Sequence, residues 1–284
     1  MSTPSRQVVI TALGDLSNLS IVRTTIPDPP KDQVQVRSFY SGFSGTDINM
    51  RLGRYPMQKK APFTPGYSLV GKVVKNGPGC SQFRLGDIVA CLTVYDAQSD
   101  YANLPQKYLI PVPEGTDLQQ ATALIADWST AYGLAINTGR VSSGQKVFVH
   151  GISGAVGYAT MVLCQSQGAE VYGTCSEKNF AAIEKLGATP FAYTDKNWIQ
   201  SLQSLGGADL VFDPLGFESW DESYSILSPT GHSAGLWRQP RHLNRSSRAI
   251  STLAHHQATS QKSVLLQEED NLLLYHKRQY ELQA

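Results

Sequence analysis

The sequence has no apolar run approaching the length of a membrane span, and its N-terminus lacks a basic segment followed by an apolar core, so neither a bilayer helix nor a secretory leader is expected. A cytoplasmic location is the default expectation. Charge of one sign is also missing. The 24 Lys and Arg nearly balance the 23 Asp and Glu, leaving +1, which gives no overall pull toward nucleic acid or acidic membranes. Cysteine is scarce. Cys80, Cys91, Cys164 and Cys175 form no C-x-x-C pair and stand at no ligand spacing from a histidine, so no metal and no disulfide are assigned. Cys164 and Cys175 fall on apolar faces of predicted elements and read as small buried hydrophobes.

What is present centres on the run Lys146-Val-Phe-Val-His150-Gly151-Ile-Ser153-Gly154-Ala155-Val156-Gly157-Tyr-Ala-Thr-Met-Val-Leu-Cys164. A short β-branched run, a glycine turn and a helical pattern predict strand, tight turn and helix. In such a turn the first glycine reverses the strand, the second admits a pyrophosphate, and the third lets the helix lie close to the sheet. The phosphates then meet the positive end of the helix. A second strand, Glu170-Val-Tyr-Gly-Thr-Cys175, follows, then a helix from Ser176 to Leu186 stopped by Gly187, which completes a βαβ unit. An acidic residue at the end of that strand would bind ribose hydroxyls and repel a 2′-phosphate. Gly173-Thr174-Cys175-Ser176 carries no carboxylate and Lys178 is close by, although Glu177 stands beside it, so NADP(H) is the expected cofactor.

The first third is punctuated by glycine and proline and alternates in short runs such as Gln7-Val-Val-Ile-Thr-Ala and Gln33-Val-Gln-Val-Arg-Ser-Phe, which is hairpin material. The run Phe83-Arg-Leu-Gly86-Asp87-Ile-Val-Ala90 reads as a strand entered through a turn. After Pro111-Val-Pro-Glu-Gly115 the spacing becomes helical, and Thr116 with Gln119 predicts a capping box. A strand at Asp209–Asp213 continues an alternation of β and α segments that requires a parallel sheet. The fold class is therefore α/β: a β domain over 1–120, a dinucleotide domain over 121–231, and an atypical segment over 232–284.

From about Val9 to Gly231 the chain resembles the medium-chain dehydrogenase/reductase superfamily, and within it the zinc-free quinone oxidoreductase and enoyl reductase branch. The marks are Gly45-Thr46-Asp47, Pro65-Gly66-Tyr67, Arg84-Leu-Gly86-Asp87, Ser129-Thr130-Ala131-Tyr132, the Gly151–Gly157 turn, Leu186-Gly187-Ala188 and Phe212-Asp213-Pro214-Leu-Gly216. The resemblance implies a GroES-like substrate domain and a Rossmann domain that carries the nicotinamide. Zinc-dependent relatives place a cysteine and a His-Glu pair where this chain has Ser44, Tyr67 and Ser68, and hydroxyl groups are poor zinc ligands. Direct hydride transfer from NADPH to a small-molecule quinone, enone or enoyl acceptor is the expectation, in a setting such as polyketide-type specialised metabolism. Zinc alcohol dehydrogenase is the disfavoured rival. By resemblance Asn49 and Tyr55 face the substrate cleft and Thr130 approaches the nicotinamide amide; turn contact and wall packing are the plainer roles for Asn49 and Tyr55. Asp47 is expected to be structural. Ser176 and Lys178 correspond to contacts with the 2′-phosphate, and Tyr193 to the adenosine end. The plainer reading of Ser176 is a helix N-cap, and of Lys178 a solvated helix charge.

After Gly231 the match stops. Five of the six histidines lie beyond it and no glycine follows Gly235, although the chain has 24. One reading is a divergent helical extension. Another is translation out of phase: suitable codons for His232–Pro240, read one base later, give Ile-Leu-Leu-Ala-Tyr-Gly-Gly-Asn, a family-like strand, and family-like text recurs in the same phase at Gln257–Lys262 and Leu266–Gln283. On that reading the sheet ends early at Gly231, the family's homodimer segment is altered, and the chain is a catalytically impaired nucleotide-binding homologue.

Overall fold

The computed structural model describes residues 2–55, 58–214 and 219–235, together with the backbone of a strand at Lys262–Leu265. The out-of-phase reading, the tail histidines from His242 onward and Gly216 lie outside the described residues. The chain forms two compact units, Met1–Asp127 and Trp128–Ala284.

In the first unit, β1 (Thr3–Ile10) and β2 (Leu19–Ile26) form an antiparallel hairpin, whereas the runs at Gln7 and Gln33, both read as hairpin material, fall in different sheets. A five-stranded antiparallel sheet follows, in the order β6 (Tyr101–Pro105), β3 (Gln33–Ser41), β4 (Ser68–Asn76), β5 (Ile88–Leu92), β7 (Leu109–Pro111). The alternating valines of β3 and β4 close its core, with Val34, Val36, Leu69 and Val73 at 1% exposure or less. Burying each such side chain contributes about 1.5–3 kcal/mol. Helix α1 (Gly45–Arg51) is capped by Ser44, whose Oγ accepts from Thr46 N, while Asp47 reaches back to Ser44 N. That confirms the structural role expected of Asp47.

Helix α2 (Leu118–Ala123) packs Ala121 against Val70 and Ala90. Its cap differs from the expected Thr116 box. Asp117 is the N-cap, and its Oδ1 accepts from Gln119 N and Gln120 N at 2.8 and 2.9 Å. A carboxylate next to the helix amides satisfies two of them and complements the helix dipole, which a neutral threonine does not. The next turn, Leu124–Trp128, is π-helical. Helix α3 (Ser129–Tyr132) and a second π-helical stretch, Gly133–Thr138, follow.

The second unit is a parallel sheet in the order β10 (Thr189–Ala192), β9 (Glu170–Cys175), β8 (Lys146–Val149), β11 (Ala208–Asp213), β12 (Leu227–Gly235), β13 (Lys262–Leu265). In chain order this is the 3-2-1-4-5-6 arrangement of the doubly wound dinucleotide fold. Both faces are covered, as continuous apolar strands demand. Val147, Val149, Leu210 and Phe212 pack with Met161 and Cys164 of α4 (Ala155–Ser166). Phe148 and Val211, one residue out of step, pack on the other face with Trp198 and Leu202 of α6 (Asn197–Ser204). Helix α5 (Phe180–Lys185) is ended by Gly187, as expected.

The expectation that the sheet stops at Gly231 is corrected. β12 runs on to Gly235, pairing His232–Gly235 with Leu210–Asp213 of β11, and β13 pairs beyond it. Small residues make this possible: a Cβ on Gly231 would stand 2.5 Å from the Ala208 carbonyl oxygen, and one on Gly235 would stand 2.8 Å from the Trp220 ring. Among the described residues no helix is long and apolar enough to cross a membrane.

Candidate active site

Each unit carries its own cleft. In the second unit the cleft lies at the C-terminal ends of β8, β9, β10 and β11 and has a volume of about 500 Å³. The chain leaves β8 through His150, whose N–H donates to Phe212 O at 3.0 Å, and turns at Gly151, whose φ of +66° suits glycine. Gly151 N and Ile152 N then donate to Thr174 Oγ1 and O, which ties the turn to the end of β9. Gly154 is the N-cap of α4 and offers no side chain to the first helical amides, those of Ala155, Val156 and Gly157. Helix amides left uncapped in this way are anion donors. A Cβ on Gly157 would lie 2.8 Å from the Gly151 carbonyl carbon and closer still to its oxygen, so helix and turn touch backbone to backbone.

Of the cofactor residues expected from sequence, Gly151, Ser153, Ser176 and Tyr193 line this cleft. Ser153 Oγ accepts from Asn179 Nδ2 at 3.0 Å. Ser176 holds the N-cap position of the short turn Glu177–Asn179, but its hydroxyl makes no capping bond. Lys178 is exposed on that turn and is not among the lining residues. The cleft's lysine is instead Lys196, which the sequence reading passed over. It occupies a left-handed conformation ahead of α6 and pairs with Glu222 of α7 (Ser219–Ser225) at 2.7 Å. Nothing local in the sequence signals a pair 26 residues apart.

His150 was also missed. Its ring is 3% exposed and wedged between Phe148 and Trp198, with centroids at 5.1 and 5.2 Å. Nε2 lies 3.0 Å from Ser223 Oγ, which in turn reaches Asp213 Oδ2 and Ser219 O. Both of those oxygens can only accept, so the single serine proton goes to one of them and His150 Nε2 carries a hydrogen of its own. Burial lowers the imidazole pKa despite Asp213 nearby, which keeps the ring neutral and fixes one tautomer. Two thiols lie in the core on the other face of the sheet: Cys175 is pushed up by burial and Cys164 up to about 12, so both stay protonated, as expected of small hydrophobes.

The first unit has a cavity of about 280 Å³ between β3, α1 and α2. It brings Ser44, Tyr67 and Ser68 together, the positions where zinc-dependent relatives carry ligands, and adds Tyr40, Phe43 and Asp127. Asp47 also lines it, but its carboxylate is engaged by Ser44 N at 2.8 Å and Gln98 Nε2 at 3.3 Å. Among the described residues no group of three or more His, Cys, Asp or Glu could hold a metal ion. Tyr55 adjoins the cavity edge-on to Tyr67, with ring centroids at 5.9 Å, and burial raises its phenol pKa. Asn49 is half-buried on α1 and its backbone carbonyl accepts from Arg54 N, a turn contact. Thr130 lies half-buried on α3. Neither Asn49 nor Thr130 lines either cleft.

Comparison with known proteins agrees with this architecture. Residues 30–114 match the alcohol dehydrogenase GroES-like domain and residues 155–270 the zinc-binding dehydrogenase domain, so the expected end of the family match at Gly231 is corrected. The chain is 30% identical over 234 residues to the synaptic vesicle membrane protein VAT-1 homolog of Rattus norvegicus, covering 80% of this chain and 58% of that protein. It is 29% identical over 212 residues to the quinone oxidoreductase of the same organism, covering 72% and 64%. The chain thus spans less than two thirds of the length of either relative. The JamJ enoyl reductase has the same fold, with a TM-score of 0.82 at 23% identity over 99% of this chain and 87% of that one. With a GroES-like unit followed by a 3-2-1-4-5-6 Rossmann unit, the chain belongs to the medium-chain dehydrogenase/reductase superfamily.

Proposed function

We propose that the protein is an NADP(H)-dependent, zinc-independent reductase acting on a small quinone, enone or enoyl-type acceptor. The observation that carries the reading is the end of β9, which enters the second unit's cleft as Thr174, Cys175 and Ser176 with no carboxylate. Among the described residues the cleft's one lining carboxylate, Glu222, pairs with Lys196. The glycine cradle fits a dinucleotide, because the contact at Gly157 leaves no room for a side chain and the amides of Ala155, Val156 and Gly157 carry no side-chain cap. These amides would hold the pyrophosphate. Ser176 and Tyr193 would meet the adenosine ribose and its 2′-phosphate, with Lys178 adding charge from the exposed turn. A bound dihydronicotinamide supplies hydride. On the acceptor side, Ser44, Tyr67 and Ser68 offer hydroxyl donors in place of metal ligands, and the raised phenol pKa keeps Tyr55 a donor. The roles that the family resemblance implies for Asn49 and Thr130 rest on that resemblance alone, since neither lines either cleft.

The test is thermal unfolding of the chain with NADPH and, separately, NADH. Ligand at about 100 times its dissociation constant stabilises the native state by about 2.7 kcal/mol. A rise with NADPH and little with NADH supports the reading. Equal shifts would overturn the phosphate preference. No shift with either would favour the second reading, an impaired nucleotide-binding homologue, which the composition of residues 232–284 suggests.

A further inference from the structure

Asp127 lines the first unit's cavity from the π-helical turn Leu124–Trp128. A π turn inserts residues into the helical register and re-aims side chains, which is why such turns recur at functional sites. The cavity's other carboxylate, Asp47, is held by Ser44 and Gln98. Among the described residues no group hydrogen-bonds the Asp127 carboxyl, and burial alone acts on it, raising its pKa. Among the described residues the other titratable groups lining the cavity are Tyr40 of β3, Asp47 of α1, and Tyr67 just before β4, with no Lys, Arg or His. A carboxyl with no cation in the described lining to stabilise its charge favours the protonated form, whose O–H must find an acceptor.

We propose that the Asp127 carboxyl donates this hydrogen bond to the carbonyl oxygen of an uncharged, conjugated acceptor seated among Tyr40, Phe43 and Tyr67. The inference rests on the reductase reading for the presence of a carbonyl acceptor, and it narrows the class. With no cation in the lining, an acceptor bearing a carboxylate or phosphate at its reacting end is disfavoured, and a quinone or simple enone is preferred.

The experiment measures binding of tetramethyl-1,4-benzoquinone, whose fully substituted ring resists thiol addition, to the whole chain from about pH 5 to about pH 8, calorimetrically. Only the protonated carboxyl donates, so the dissociation constant should rise with pH as the carboxyl ionises, by at least about fivefold to tenfold, the contribution of one hydrogen bond. Asp127→Asn keeps an N–H donor and should bind with no slope. Asp127→Leu should bind about fivefold to tenfold more weakly at the acid end, the loss of one hydrogen bond. Thermal midpoints near wild type would establish that both variants fold. A flat wild-type profile, a slope that persists in Asp127→Asn, or no binding at any pH overturns the assignment. NADPH oxidation with the same quinone separates this from the reductase reading. Turnover without a slope sinks the role of Asp127 alone, while a slope without turnover sinks the reductase reading and leaves Asp127 as a quinone-binding donor.

Discussion

Replacing Gly157 by alanine tests whether the glycine turn is a backbone-to-backbone contact or an ordinary strand-to-helix connection. Gly157 lies inside α4, where alanine is intrinsically better by about 1 kcal/mol. Against this, the new Cβ would stand 2.8 Å from the Gly151 carbonyl carbon and 3.0 Å from Ile152 Cα. Favourable carbon contacts need about 3.5–4.0 Å, so α4 must retreat by about 1 Å or the turn must deform. Because the obstructing atoms are backbone, they cannot swing aside, and the cost belongs at the upper end of the overpacking range, about 3 kcal/mol. The net destabilisation is then about 2 kcal/mol, a fall in Tm of about 4–8 °C for a unit of this size. The same retreat carries the amides of Ala155 and Val156 with it, so NADPH affinity should fall at least about tenfold, worth about 1.4 kcal/mol. Gly133→Ala is the control. It is also helical, nothing lies within 4 Å of its added Cβ, and it should stabilise by about 1 kcal/mol. Urea unfolding and dinucleotide titration of both variants decide the matter. If Gly157→Ala matched wild type in stability and affinity, the close-contact reasoning would be refuted.

Two further outcomes follow from the buried network. His150 and His232 both have pKa values lowered by burial, so the unfolded chain binds protons more readily and stability should be full above about pH 6.5 and fall as pH drops below it. The slope approaches about 1.4 kcal/mol per pH unit for each group; urea midpoints from neutral to mildly acidic pH should show His150→Gln with a shallower slope, and an unchanged slope would contradict a buried neutral ring. Asp213 is fully buried and accepts from Ser219 Oγ at 2.7 Å and Ser223 Oγ at 3.0 Å. Asp213→Ala should therefore cost about 2 kcal/mol by removing the acceptor of Ser219 Oγ, while Ser223 Oγ keeps Ser219 O at 2.9 Å, and a loss below about 1 kcal/mol on denaturant unfolding would show that the network is dispensable.

Features that depend on neighbours in sequence were legible. The βαβ unit, the glycine stop after α5 and the structural role of Asp47 all follow from periodicity, turn residues and capping within a few positions. The cap of α2 was missed by a single residue, because Thr116 and Asp117 both suit an N-cap and only the backbone path chooses between them. The strand beyond Gly231 was missed because Gly231, Ser233, Ala234 and Gly235 carry little strand propensity; parallel pairing with β11 in a crowded sheet overrides it.

The sequence alone therefore determined the order of elements, the tight glycine turn between β8 and α4 and the absence of a carboxylate at the end of β9, since each is set within a short stretch. Only the tertiary structure decided which polar groups meet. It joined Lys196 to Glu222, and His150 through Ser223 to Asp213, and it placed the Asp127 carboxyl in a cavity whose described lining carries no cation. Such pairings depend on residues distant in the chain and on burial, which exists only once the sheets and helices have packed.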